Sequence, residues 1–203
     1  MRLSLKELTI VAALGALWGS VEMTLGAFLH VLHVPFTGAV LGSIGICIAL
    51  VGRVVVPRPG STLSIAVVAA LLKALSIGGV VLSPMIAIVM EGLLADAVLS
   101  LGGRPRRTTF ALAGAAAVTW NTLHMVLIQG LVFGAGVVRM YMIMVQKAAA
   151  LLHIPTASVV AVLIVLVAGH VVAGALAGLV AWQAGRSVVA RRALVEIDAG
   201  EPS

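Results

Sequence analysis

The sequence predicts an all-α fold: an integral membrane bundle of six transmembrane helices with both termini cytoplasmic. Three observations predict it. Of 203 residues, 62% are hydrophobic and only 10% are charged, whereas a water-soluble domain carries about 25% charged residues. The apolar residues gather into runs long enough to cross ~30 Å of hydrocarbon as helices. Ten of the 13 Lys and Arg residues lie at or beyond the ends of these runs, always on the same side of a six-span chain, as the positive-inside rule requires.

The first run, about residues 5–30, follows Arg2 and Lys6 and has no Ala-x-Ala-like cleavage site, so it reads as a retained helix rather than a signal peptide. Pro35 breaks the chain, and the second run covers 36–56 before the turn Pro57-Arg58-Pro59-Gly60. The third covers 62–79 and stops at Gly78-Gly79. The fourth covers 82–101, with Pro84 in its first turn, where a missing N–H costs nothing. Gly102, Gly103, Arg104, Pro105, Arg106 and Arg107 form a basic loop before the fifth run, 108–133. The sixth covers 155–184, and residues 186–203 form a cytoplasmic tail expected to fray.

Residues 134–154 are apolar, yet Arg139, Gln146, Lys147 and His153 fall on one narrow helical face. A crossing there would carry Arg186, Arg191 and Arg192 outside. The segment therefore reads as an outer connection, partly an amphipathic helix lying on the surface. Residues 1–185 then make one transmembrane domain in a cell membrane of prokaryotic plasma-membrane type. The net charge of +6 is an orientation signal and not a nucleic-acid stripe. With one cysteine, Cys47, no disulfide framework is possible within the chain.

Ionisable groups inside spans are costly, so each raises a functional question. They are Glu22, Lys73, Glu91, Asp96, His124 and His170, joined by the amides of Asn121 and Gln129. Counted from the basic ends at ~1.5 Å per residue, Glu91 lies ~15 Å in and Lys73 ~17 Å. Asn121 and His170 lie at ~20 Å, and Glu22 and His124 at ~24 Å. Five spans thus place polar groups in one layer, as a pocket open to the outside would. The plainer alternative is internal pairing: Lys73 neutralises Glu22 or Glu91, and His170 bonds a neighbouring carbonyl. Asp96, only ~8 Å from the inner end, is expected to meet loop arginines, and Gln129 to lie near the outer surface.

His30 and His33 have a spacing that could present two imidazoles together, but no third ligand is near, so no metal is assigned. Catalytic signatures, nucleophile elbow or phosphate loop, are missing from the sequence. Glu91 with His124 could form an acid-base pair in an intramembrane hydrolase or transferase. Ala12 and Ala16, Gly15 and Gly19, Gly38 and Gly42, and Gly174 and Gly178 are spaced four apart, leaving flat stripes for close helix approach. The alternatives are internal packing and a docking face for a partner helix.

The stretch Ala12-Ala13-Leu14-Gly15-Ala16-Leu17-Trp18, with its Ala-x-x-x-Ala spacing, and the outer segment from His30 to Thr37 complete a pattern. In size, span number and these features the chain resembles the substrate-binding S components of energy-coupling factor (ECF) transporters, the vitamin-uptake branch of ABC transporters. The N-terminal Met-His of the nickel and cobalt members is not present, since the chain begins Met1-Arg2-Leu3. The resemblance implies a protein without catalysis or cofactor of its own. It would capture a vitamin or vitamin precursor from outside, then dock on a transmembrane scaffold subunit with two ABC ATPases. Ala12 and Ala16 match the docking positions. Asn121, His124, Gln129 and His170 fall in the region of the family's pocket, bordered by Lys73, Glu91 and Glu22, with Trp120 as a stacking surface. Arg139 and Tyr141 would reach down from the outer connection. An intramembrane enzyme and a structural subunit of a membrane complex are the alternatives.

Overall fold

The computed structural model of the protein describes residues 3–32, 36–75, 82–133, 136, 139, 143, 146–147, 150–151 and 159–198, with side chains for all except 30, 125–133, 159–160, 162–163 and 196–198. Among the described residues the fold is entirely helical, with no strand. In chain order it comprises α1 (Leu5–Val31), α2 (Thr37–Val55), α3 (Ser61–Lys73), α4 (Leu82–Leu101), α5 (Arg107–Phe133) and α6 (Val159–Asp198). Four helices are long and apolar enough to cross a membrane: Leu5–Leu29, Thr37–Val55, Leu82–Leu101 and Ile164–Val195. Leucines stand on the outer surface in number, Leu71, Leu75, Leu112 and Leu176 among them. In water such a surface would aggregate; hydrocarbon solvates it.

Each helix starts or stops for a local reason. Ser4 and Glu7 form a reciprocal cap on α1, Ser4 N–H donating to Glu7 Oε2 at 2.8 Å and Glu7 N–H to Ser4 Oγ at 3.3 Å. Pro57 and Pro59 end α2, and Gly60, with φ 90°, turns the chain into α3, a left-handed geometry that costs glycine little. α3 ends at Lys73, short of the expected limit at Gly79, whose neighbourhood lies outside the described residues. α6 corrects the expected tail. It continues to Asp198 instead of fraying after Ala184, because its Val, Ala, Arg and Leu residues meet no Pro or Gly between Gly185 and Asp198.

The core is built from small side chains around a few large ones. Trp18 and Phe110 are almost wholly buried, with Ile46, Leu50, Ile65, Ala66 and Ala69 around them. Helix contacts close through glycine. A Cβ at Gly15 would fall 2.5 Å from Val68 Cβ, and one at Gly19 would fall 2.8 Å from Leu72 Cβ, so this stripe of α1 is committed to α3. A Cβ at Gly174 or Gly178 would strike the backbone of α5 at Gly114 or Phe110. With little hydrophobic drive between helices in lipid, such backbone-to-backbone packing supplies the contact.

At the end of the bundle that carries the α2–α3 turn, a polar network ties three helices together. Arg53 pairs with Asp96 at 3.3 Å, both largely buried, and Arg53 Nη1 also donates to Arg58 O. Asp96 Oδ2 accepts the Gly60 N–H at 2.8 Å, and Arg58 reaches Glu7 on α1. Asp96 therefore meets an arginine, as expected, but one at the end of α2 together with the turn's backbone.

Candidate functional site

Away from that end, a second polar cluster draws on α1, α3, α4 and α5. From α1, Glu22 faces α3, where Lys73 Nζ lies 3.8 Å from Glu22 Oε2 and donates to Glu22 O at 2.9 Å. Between the two alternatives for Lys73, its ion pair is with Glu22. Glu91 of α4 is 2% exposed. Its carboxyl group and the Asn121 amide of α5 both face Gly42 of α2. Asn121 Nδ2 donates to Gly38 O of α2 at 3.2 Å.

One turn along α5, His124 is buried and its Nε2 lies 2.9 Å from Ser83 Oγ, at the start of α4. Trp120 stands beside it, ring centroids 6.0 Å apart. Three polar atoms here are buried without a hydrogen-bond partner among the described residues: Glu91 Oε2, His124 Nδ1 and Trp120 Nε1. Buried polar groups are normally satisfied; among the described residues Trp18, Ser43, Ser61, Thr62, Thr119 and Thr122 also carry buried polar atoms without a partner.

Glycines make the room for this cluster. A Cβ at Gly42 would fall 2.5 Å from Asn121 Nδ2 and 3.0 Å from Glu91 Oε1; one at Gly26 would fall 3.6 Å from Lys73 Nζ. The Gly38–Gly42 stripe reads in sequence as a helix-packing surface. In the structure it gives space to polar side chains instead. Sequence reasoning missed this because the two uses share one spacing. Ser83 was also missed; its only signal was a hydroxyl in the turn that Pro84 opens.

Not every expected residue joins the cluster. His170 Nδ1 lies 2.8 Å from Leu166 O, one turn back on its own helix. The side chain of Gln129 lies outside the described residues, as do Tyr141, His33 and the side chain of His30. Arg139 is helical and exposed, as are Gln146 and Lys147. Ala12 is exposed and Ala16 half-buried on α1, beside the Gly15–Gly19 stripe that α3 covers. Among the described residues no three His, Cys, Asp or Glu side chains gather as metal ligands.

Compared with known protein families, characterised proteins and solved structures, the chain matches none.

Proposed function

We propose that this protein is a membrane-embedded solute-binding subunit for transport, similar in plan to the S components of ECF transporters. The observation that carries the proposal is the orphaned carboxylate of Glu91, fully inside a layer fed by α1, α3, α4 and α5 and floored by the glycines of α2. An unmet buried acceptor costs about 1–3 kcal/mol. A bound solute would meet it.

In this reading six spans cross the membrane, the basic ends face the cytoplasm, and the polar layer is approached from outside. Asn121, Glu91 and His124 bind the solute, Trp120 stacks on it, and Lys73 with Glu22 sets the local charge. The small solute, of vitamin or vitamin-precursor type, then passes inward when the protein docks through Ala12 and Ala16 on a transmembrane scaffold driven by two ABC ATPases. The exposure of Ala12 supports a docking role.

The structural-subunit reading draws on the Lys73–Glu22 pair and on His170, both satisfied within the chain. The orphan atoms around Glu91 and His124 weigh against it. Native mass spectrometry of protein purified gently from its own membranes separates the two. A small molecule retained by the wild type and lost in His124→Ala supports capture. A bare chain in every preparation contradicts it.

A further inference from the structure

The end of the bundle that carries the α2–α3 turn also gathers a group of outward-facing arginines. α5 and α6 run antiparallel, with Gly114 against Gly174 and Phe110 against Gly178. One more turn in each direction brings Arg106 level with Trp182, whose ring lies 4.9 Å from that of Phe110. At ~1.5 Å per residue, Arg104, Arg107 and Arg186 then fall within ~8 Å of one another along the bundle axis. Gly185 packs on Val54 of α2, so the Arg53–Asp96 pair shares this level.

Arg104, Arg106, Arg107, Arg186 and Arg191 are exposed, and none of them forms an ion pair among the described residues. The acids of the chain are too few to balance them. Asp96 and Glu7 are taken by Arg53 and Arg58, and Glu22 by Lys73. Glu91 belongs to the polar cluster away from this end. Glu196, Asp198 and Glu201 remain, against these five arginines and Arg192. Pairing all three would still leave this end positive.

Two further features say what covers the patch. The Arg186 guanidinium lies over the Trp182 ring, 5.6 Å from its centroid, and tryptophan marks the depth where the apolar interior gives way to headgroups. Leu101, 88% exposed, leads straight into the arginine loop, and Leu112, 62% exposed, stands just inside it on α5. The surface thus turns from leucine to guanidinium within one or two turns. That sequence of chemistry matches a molecule with acyl chains and an anionic head, whereas a nucleic acid offers nothing to the leucines. We infer that this end is a binding surface for anionic phospholipid, its phosphate held by the forked guanidinia of Arg104, Arg107 and Arg186. The inference rests on the helices crossing a membrane, and is independent of whether the polar layer captures a solute.

Electron paramagnetic resonance tests it on the full chain reconstituted in phosphatidylcholine bilayers. A trace of spin-labelled phosphatidylglycerol or phosphatidylcholine is added, and the motionally restricted fraction gives their relative affinity. Phosphatidylglycerol should be preferred about fivefold or more. The preference should fall to about twofold or less in Arg107→Gln with Arg186→Gln. If loss of the Trp182 contact unfolds that variant, Arg104→Gln with Arg107→Gln takes its place with the same expectation. Arg139→Gln with Lys147→Gln removes as much charge from exposed positions beyond the other end of α5, and should keep the preference. No preference in the wild type, an equal fall in both kinds of variant, or a preference untouched by the patch variants overturns the inference. So does an RNA oligonucleotide or acidic peptide that binds through these arginines while the lipids are not distinguished.

Discussion

At the scale of single residues, the structure contains two kinds of buried polar group. Arg53 and Asp96 are satisfied: each has partners, and the turn backbone completes the set. Removing one member strands the other, so Asp96→Ala should cost about 3–5 kcal/mol, seen as a lower thermal midpoint in detergent with any solute binding unchanged at low temperature. Glu91 and His124 belong to the other kind, each with a buried polar atom unpartnered among the described residues, and Asn121 lies beside Glu91. Asn121→Ala and His124→Ala should weaken solute binding roughly tenfold to a hundredfold, each contact being worth about 1.5–3 kcal/mol when a charged group is involved, while the midpoint moves little. Gly42→Ala should act like them, because its new methyl would displace the Asn121 amide and the Glu91 carboxylate. If Gly42→Ala leaves binding intact, the glycine floor is not part of the site. The polar residues themselves were legible in sequence by type and depth. Which of them were already quenched was not, because partner choice depends on which helix faces which: Lys73 chose Glu22, and His170 chose its own backbone.

At the scale of helices, boundaries set by Pro and Gly were readable, as in α2 and α4, whose breakers act locally. The extension of α6 to Asp198 was not, since a segment carrying three arginines and two acids looks like a tail when hydropathy alone is used to judge it. Small-residue stripes were visible too, but spacing does not reveal what lies opposite. Gly15 and Gly19 meet α3, Gly174 and Gly178 meet α5, and Gly42 meets polar side chains. Two alanine substitutions on α6 test the packing role. Gly174→Ala would press a methyl into the backbone of α5 and should destabilise by about 1–3 kcal/mol. Gly169→Ala, with nothing within 4 Å, should be neutral or slightly stabilising, by up to ~1 kcal/mol from helix propensity. Equal thermal midpoints for the two variants would remove the packing argument. On α1, Ala12→Trp changes an exposed position away from the polar layer; it should abolish uptake in cells that carry the partner subunits and leave solute binding by the purified protein unchanged.

At the scale of the whole molecule, the described residues of the bundle hold two polar levels. The level at the α2–α3 turn knots α1, α2 and α4 together by ion pairs. The deeper level leaves polar atoms without partners among the described residues, inside a shell of apolar side chains. The all-helical membrane architecture was legible because hydrocarbon demands apolar runs and internal backbone hydrogen bonding, and both leave plain marks in composition. The site was legible only as a depth, since hydropathy reports how far along a helix a residue lies and not which way it points. The central claim is that the deeper level opens to the outside as a cup. Its most direct test places a cysteine at Ser83, beside His124, in a Cys47→Ser background, and adds a membrane-impermeant maleimide to intact cells. The account predicts labelling from outside that slows when solute is bound; labelling only after the cells are permeabilised, or none at all, would contradict it.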